Sequence, residues 1–216
     1  MVIVLTGGGT LGPVTPLLAV AEELKKLRPD ATFHWIGTFS GPERGLVEAA
    51  GMPFSAIRSG KLRRYFSLQN LVDHARLMLG IGDALKVLGR LRPAAVVSAG
   101  GFVAVPVAWA AALLGIPVHV HQLDLRPGLA NRLTAPFAKS ISVGFEELVG
   151  RFGRRAVWTG NPVRSSILKG SADEGRRLFG VSKDAPVLLV LGGGTGSAVV
   201  NSLVAGSLPR LSKAAQ

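Results

Sequence analysis

The sequence predicts an α/β protein in which short parallel strands alternate with helices in doubly wound sheets. Along the chain, short apolar runs alternate with stretches of helical periodicity, the pattern of a parallel sheet with helices on both faces. The segment Val-Ile-Val-Leu-Thr-Gly-Gly-Gly-Thr, which begins at Val2, is matched from Val187 by Val-Leu-Leu-Val-Leu-Gly-Gly-Gly-Thr. Two such strand-and-loop starts predict two doubly wound domains in tandem.

The apolar spacing predicts the elements in order. Strands are expected at residues 2–5, 32–36, 94–98, 118–121, 141–143 and 156–159. Helices are expected at residues 14–27, 43–50, 68–91 and 106–114, within 126–138, and at 146–149. Residues 1–164 should form the first Rossmann-like domain. Residues 165–216 should hold a linker with an introductory helix and the start of a second domain, which is incomplete.

The stretch from residue 93 to residue 118 carries no charged side chain and is long enough to span a bilayer. Its Gly-Gly and Gly-Ile-Pro breaks divide it into strand, loop, helix and turn, which hydrocarbon does not tolerate. We therefore expect a buried strand–helix unit here. The N-terminus has neither a basic region nor a cleavage site typical of a signal peptide.

Composition narrows the classes of function. Lys and Arg number 25 against 13 Asp and Glu, a net charge of +12, so an anionic partner is expected. The absence of Cys excludes disulfides, thiolate metal sites and cysteine catalysis. The sequence contains no Gly-x-Ser-x-Gly motif, which disfavours a serine hydrolase. The four histidines lack metal-ligand spacing, so no metal is expected. His121, at a strand end beside Gln122 and Asp124, is the histidine most suited to line a site.

The loop Gly7-Gly8-Gly9-Thr10-Leu11-Gly12 follows a strand, precedes a helix and has G-x-G-x-x-G spacing. Such backbone can approach a pyrophosphate. No acidic residue ends the second strand and no Gly-Lys-Ser/Thr follows, which disfavours a dinucleotide site and a P-loop. A tight turn without a ligand is the alternative. Gly100-Gly101 and the loop Gly192-Gly-Gly-Thr-Gly also follow predicted strands, where open α/β sheets bind ligands.

The segment Lys61-Leu62-Arg63-Arg64-Tyr65-Phe66 interleaves cations with apolar and aromatic side chains. It is either a solvated helix face or a surface that docks on an anionic membrane, with its aromatic residues in the headgroup region. Nucleic-acid binding is disfavoured because no reader motif accompanies the charge.

Five segments in order resemble the MurG family of GlcNAc transferases, and the resemblance covers nearly the whole chain. They are Thr6-Gly-Gly-Gly-Thr with Val14-Thr-Pro, Ser98-Ala-Gly-Gly-Phe-Val, Gly115-Ile-Pro-Val with His121, Pro127-Gly-Leu-Ala-Asn-Arg, and Gly160-Asn-Pro-Val-Arg. The resemblance implies a GT-B fold and an inverting transfer of GlcNAc from UDP-GlcNAc to the C4 hydroxyl of a polyprenyl-pyrophosphoryl-MurNAc-peptide. No cofactor is implied.

By position, the resemblance places donor contacts on Thr10, Leu11, Gly12, Asp124, Arg164 and Gly194. It places the lipid pyrophosphate near Gly8, Gly9, Gly100, Gly101 and Phe102. Residues 1–164 then become the acceptor and membrane-binding domain, residues 165–216 lead into the donor domain, and the protein is expected on the cytoplasmic face of the plasma membrane.

The chain departs from the family pattern at its first loop. Leu11-Gly12-Pro13 stands where Gly-Gly-His is usual, so the family's candidate base is missing, and Asp124 and His121 are the remaining candidates. His121-Gln122-Leu123-Asp124 replaces His-Glu-Gln-Asn. The alternatives are another lipid-directed GT-B transferase and a non-catalytic lipid-pyrophosphate binder or membrane scaffold. A second chain that supplies the missing donor half would reconcile the short second domain with activity.

Overall fold

The computed structural model describes residues 1–60, 69–193 and 196–214, apart from the side chains of residues 69–72 and 212–214. The chain forms two compact units, Met1–Arg164 and Ser165–Gln216. The assignment of these units to acceptor and donor binding stays a prediction.

The first unit is built on one seven-stranded sheet in which every pairing is parallel. Its strands are β1 (Val2–Thr6), β2 (Thr32–Thr38), β3 (Phe54–Ile57), β4 (Ala95–Ser98), β5 (Val118–Gln122), β6 (Ser140–Val143) and β7 (Ala156–Trp158). The spatial order β3-β2-β1-β4-β5-β6-β7 reverses direction between β1 and β4. In open α/β sheets this reversal opens a ligand crevice at the carboxyl ends of the strands.

The helices of this unit cover both faces of the sheet. They are α1 (Val14–Leu27), α2 (Glu43–Ala49), α3 (Gln69–Leu91), α4 (Ala104–Leu113), α5 (Leu129–Thr134) and α6 (Val149–Phe152), with 3₁₀ turns at Ala135–Phe137, Glu146–Leu148 and Gly153–Arg155. The predicted α/β class and the doubly wound parallel sheet are confirmed here.

Apolar side chains form a core on each side of the sheet. Leu17 of α1 and Trp35 of β2 are fully buried in one core, and Leu88 of α3 and Val107 of α4 are fully buried in the other. The uncharged stretch expected to be a buried strand–helix unit is indeed β4 and α4, and α4 is apolar nearly all round. Among the described helices, none has the length and hydropathy that crossing a bilayer requires.

Strand β3 was not expected from the sequence. It pairs with β2 at the edge of the sheet, with Trp35 opposite Phe54 and Thr38 opposite Ile57. Only four residues long and mostly half-buried, it lacks the apolar run that marks the central strands.

The second unit contains helices α7 (Ser165–Leu168), α8 (Ala172–Phe179) and α9 (Ala198–Ala214). Ser171 caps α8 by accepting a hydrogen bond from the amide of Glu174 (3.4 Å), and Gly180 ends it in the left-handed conformation. The strand expected from Val187 is wrong: no strand occurs among the described residues of this unit, and Val187 and Leu191 are 55% and 77% exposed. A strand is held by ladder hydrogen bonds to a neighbour, and no neighbouring strand lies in the described part of this unit.

Candidate functional site

A pocket of about 420 Å³ opens at the carboxyl ends of β1, β4 and β5, beside the reversal of strand order. Of the residues predicted from the sequence, Thr10, Gly12, Gly100, Gly101 and Asp124 line it. Gln122, Asn131 and Asn161 also line it, although none of them was singled out as a site residue.

Two glycine loops meet backbone to backbone at this pocket. Gly101 has φ +86°, and a Cβ added to it would lie 2.5 Å from the carbonyl oxygen of Gly8. Gly9 has φ +81°, and a Cβ there would overlap the ring of Phe102. Only glycine allows both the positive φ and this close approach. The structure therefore brings together the five residues predicted to hold the lipid pyrophosphate.

A buried carboxylate supports the first of these loops. Glu43, at the start of α2, is completely buried, and its side chain accepts hydrogen bonds from the amide of Thr38 (2.7 Å), the hydroxyl of Thr38 (2.5 Å) and the amide of Gly9 (3.2 Å). The amide of Gly9 is thus already bonded, so an anion at this loop would be held by other donors. Sequence reasoning missed Glu43 because its contact with Gly9 joins residues far apart in the chain.

Pro13 lies at the junction of this loop and α1. It is buried, lines the pocket and precedes the first residue of the helix. The carbonyl of the half-buried Leu11 accepts the amide of Val14 at 3.1 Å. Proline has neither an amide proton nor a titratable side chain, so this residue can neither donate a hydrogen bond to a ligand nor act as a base.

His121 does not face this pocket. Its side chain is 3% exposed and lines a separate groove of about 280 Å³ between α1 and β4–β6. Its Nδ1 lies 2.7 Å from the hydroxyl of Ser142 and its Nε2 lies 3.2 Å from Oδ1 of Asn161. Burial lowers the pKa of His121, and the hydrogen bond to Asn161 opposes this shift. With both ring nitrogens engaged and away from the pocket, His121 is not placed to act as the base.

Asp124 is the remaining candidate. Its residue is exposed at the mouth of the pocket, and its backbone carbonyl accepts a hydrogen bond from Nε2 of Gln122 at 2.6 Å. A carboxylate in this position can accept a proton from a hydroxyl group in the pocket. Its role as base or as donor contact stays a prediction.

The other predicted residues lie elsewhere or outside the described residues. Arg164 lines a different crevice of about 710 Å³ with α1 and the first residues of β2, and its buried Nε has no partner among the described residues. The predicted donor contact Gly194 and the predicted membrane residues are outside the described residues. The latter are Lys61, Arg63, Arg64, Tyr65 and Phe66.

Another pocket, of about 670 Å³, is lined by Gly9 of the first glycine loop and by Phe102 of the second. Arg58 and Arg76 line it. Arg58 is paired with Asp83 through hydrogen bonds of 2.7 and 2.6 Å, and this pairing lowers the pKa of Asp83. Arg76 is paired with Asp73, which also lines the pocket, at 3.5 Å, so both of these arginines are already in ion pairs. Within the described residues, no cluster of three His, Asp or Glu side chains could hold a metal ion.

Comparison with known families gives one match that covers most of the chain. Residues 3–143 match the glycosyltransferase family 28 N-terminal domain. The span begins in β1 and ends with β6, so it contains both glycine loops and the 122–124 segment.

Curated relatives are similar along nearly the whole chain. A protein of Clostridium kluyveri is 45% identical over 212 residues, which are 98% of this chain and 60% of that protein. A protein of Shouchella clausii is 44% identical over 215 residues, 99% of this chain and 60% of that protein. Both are named UDP-N-acetylglucosamine–N-acetylmuramyl-(pentapeptide) pyrophosphoryl-undecaprenol N-acetylglucosamine transferase. The chain thus spans about 60% of the length of these relatives.

Solved structures agree on the fold. The crystal structure of Acinetobacter baumannii MurG matches with a TM-score of 0.63 and 27% identity, over 80% of this chain and 47% of that chain. A UDP-GlcNAc 2-epimerase from Neisseria meningitidis matches with a TM-score of 0.54 at 17% identity, over 74% of this chain and 46% of that one. The second likeness shows the fold alone.

Proposed function

The chain belongs to glycosyltransferase family 28, and from that premise we propose that it is the acceptor-binding part of a UDP-GlcNAc-dependent transferase. The reaction moves GlcNAc from UDP-GlcNAc to the C4 hydroxyl of a polyprenyl-pyrophosphoryl-MurNAc-peptide, a step of peptidoglycan synthesis. The observation that carries the proposal is the pair of interlocked glycine loops at the strand ends, in a chain 45% identical to a relative named for this transfer.

The proposed reaction needs a base and an exposed acceptor hydroxyl. It also needs hydrogen-bond donors that stabilise the negative charge of two diphosphates, one in UDP-GlcNAc and one in the lipid acceptor. The C4 hydroxyl attacks the anomeric carbon with inversion, the C1–oxygen bond to UDP breaks, and the hydroxyl proton passes to the base. Asp124 is the proposed base because it alone among the two candidates lines the pocket. Charge on the diphosphates would be met by loop amides and by the N-terminus of α1, with no cofactor.

The donor contacts of the proposal are the residues that the family resemblance implies. Thr10, Gly12 and Asp124 line the pocket and would meet the sugar and diphosphate of UDP-GlcNAc there. Leu11, Arg164 and Gly194 are proposed as donor contacts on the resemblance alone. Most of the uracil and ribose pocket would come from residues that the relatives carry beyond the matched span, supplied by further sequence or by a second chain.

The acceptor would bring the protein to the cytoplasmic face of the plasma membrane as a peripheral protein. The relatives' names specify an undecaprenol-linked acceptor, whose lipid tail stays in a bilayer. The net charge of +12 favours an anionic surface. On α3, Met78 and Leu79 are 65% and 49% exposed, so apolar side chains are exposed on the helix that follows Lys61, Arg63, Arg64, Tyr65 and Phe66 in the sequence.

A binding experiment tests the proposal on the chain as it exists. A soluble analogue of the MurNAc-peptide lipid, with a short isoprenoid, is titrated into the ¹⁵N-labelled protein. We expect the amide resonances of Gly12, Gly100 and Gly101 to shift. Saturating titration without any shift in these glycines would overturn the proposal.

One observation favours a second candidate, a non-catalytic binder of lipid pyrophosphate. Pro13, which cannot accept a proton, occupies the place of the family's candidate base. The test is UDP release after the donor half of a relative is joined to this chain. Turnover that falls on Asp124→Asn, with donor affinity unchanged, supports the transferase; binding of the acceptor analogue without any turnover supports the binder.

A further inference from the structure

Two buried carboxamides lie side by side on the floor of the pocket. Gln122 is 1% exposed and Asn131 is 5% exposed. Nδ2 of Asn131 donates to Oε1 of Gln122 at 2.7 Å and to the backbone carbonyl of His121 at 3.1 Å. Nε2 of Gln122 in turn donates to the backbone carbonyl of Asp124 at 2.6 Å. The pair therefore ties α5 to the end of β5 and to the loop that carries Asp124.

These contacts allow only one orientation of each carboxamide. Backbone carbonyls accept hydrogen bonds and cannot donate them, so an NH₂ group must face His121 and another must face Asp124. If Asn131 were rotated by 180°, its oxygen would face two acceptors, the carbonyl of His121 and Oε1 of Gln122. The hydrogen-bond network thus assigns the oxygen and nitrogen atoms of both side chains.

The fixed orientation leaves one acceptor over. Oδ1 of Asn131 is buried and has no hydrogen-bond partner in the described part of the chain. It lies against Gly100, where an added Cβ would be 3.1 Å away. Gly100 and Asn131 both line the pocket, so the unpaired oxygen lies at its wall. Native proteins rarely leave such a group unpaired unless a ligand or an ordered water completes it.

We propose that Oδ1 of Asn131 is a specificity-determining acceptor that takes a hydrogen bond from a sugar hydroxyl or acetamido N–H group and rejects phosphate at the same point. The inference rests on the proposed function and adds a sugar contact to it. A carbonyl oxygen carries lone pairs and no proton, and an ionised phosphate oxygen is also only an acceptor, so the two repel. A hydroxyl or amide group of the donor's GlcNAc or of the acceptor's MurNAc supplies the hydrogen-bond donor that Oδ1 lacks.

The experiment follows Cγ of Asn131 and the amides of Gly100 and Gly101 by NMR in the ¹³C,¹⁵N-labelled 216-residue chain. The probes are UDP-GlcNAc, the soluble MurNAc-peptide analogue, and inorganic pyrophosphate. We expect Cγ of Asn131 to shift with at least one sugar probe and to stay in place with pyrophosphate. The probe that shifts it shows whether the hydroxyl or amide belongs to the donor or to the acceptor.

Two variants separate this contact from general damage. Asn131→Ala removes the free oxygen, and Thr134→Ala truncates another buried polar side chain of α5, one that does not line the pocket and whose hydroxyl donates to the backbone carbonyl of Asn131 at 3.4 Å. We expect only Asn131→Ala to weaken binding of the sugar probe. Its affinity should fall by between about twofold and tenfold, the effect of one neutral hydrogen bond. If Asn131→Ala does not fold, the response of Cγ in the unaltered chain decides the question.

The outcomes distinguish the two proposals. A sugar probe that shifts other residues while Cγ of Asn131 stays in place, or a shift caused by pyrophosphate, overturns the inference and leaves the proposed function standing. Equal weakening of the sugar probe by both variants also overturns the inference alone. If neither sugar probe shifts any resonance, the proposed function fails and the inference fails with it.

Discussion

β1 with its glycine loop and the segment at residues 187–193 have nearly the same sequence and opposite surroundings. In the first, Val4 and Leu5 are completely buried between β2 and β4. In the second, Val187, Leu189 and Leu191 are 55%, 70% and 77% exposed and form no strand. The apolar run and the glycines are common to both. The difference is that β1 lies between two strands, whereas residues 187–193 have no neighbouring strand among the described residues of their unit.

This difference shows what a strand sequence specifies by itself. β-propensity largely measures how well a side chain fits a half-buried, paired surface, so it has little effect without that surface. The glycine loop depends on the same neighbours. Gly8 and Gly101 come into contact because β1 and β4 are adjacent, whereas no atom of the described residues lies within 4 Å of a Cβ added to Gly193.

Truncation of one leucine in each of these two segments should give the largest contrast in the free energy of unfolding. Leu5→Ala removes a fully buried side chain from the core beside α1 and should lower the free energy of unfolding by about 2–5 kcal/mol. Leu189→Ala, at an exposed position, should change it by less than about 0.5 kcal/mol. Urea titration followed by fluorescence measures this, since all three tryptophans lie in the first unit. Equal losses would show that residues 187–191 are packed.

A methyl group on one glycine of each loop should give the next largest effect. Gly101→Ala combines a positive φ with a contact of 2.5 Å to the carbonyl of Gly8, so we expect a loss of about 2–4 kcal/mol. Gly193→Ala meets open space and should be nearly neutral. The same urea titration applies. A neutral Gly101→Ala would mean that the two loops do not contact each other as described.

Much of the first unit follows from the sequence because its signals are local. The bounds of α1 match the prediction at both ends, since its apolar spacing and the flanking Pro13 act within the helix itself. The edge strand β3 was missed because only its pairing with β2 defines it. The expected strand from Val187 was wrong for the same reason, since a local pattern was interpreted without a partner.

The candidate site was only partly predictable for a similar reason. Glycine loops are visible in the sequence, and their positions at strand ends follow from the fold. The supports are not visible, because Glu43 meets Gly9, and Asn131 meets Gln122, only after the chain has folded. The prediction for His121 rested on its position in the sequence beside Gln122 and Asp124. It lies on β5 as they suggest, but its side chain lines the groove beside α1.

Replacement of the carboxyl group beneath the first loop should sharpen the comparison by showing what holds that loop. Glu43→Gln keeps the shape but places an NH₂ group among the amides of Gly9 and Thr38, so one buried donor loses its acceptor. We expect a loss of about 1–3 kcal/mol in the free energy of unfolding. The control Glu48→Gln breaks an exposed ion pair with Arg44 and should cost less than about 1 kcal/mol. Similar costs for both variants would contradict the supporting role of Glu43.

Lowering the pH should have the smallest effect per residue on the free energy of unfolding. The effect of the histidines should be confined to the first unit, because all four of them lie in it. Burial lowers the pKa of His34, His119 and His121 below the ordinary value of 6.5, with Arg90 adding to the shift of His34 and His121 to that of His119. The unfolded chain therefore binds more protons than the folded one just below pH 6.5, and the free energy of unfolding falls as the pH drops through that value. From pH 7 to pH 6 we expect His34, His119 and His121 each to contribute a loss of less than about 1 kcal/mol. Urea titrations by tryptophan fluorescence at both pH values measure the loss, and His34→Gln should reduce it. Stability that stays constant or rises on acidification would mean that these imidazoles are charged in the folded protein.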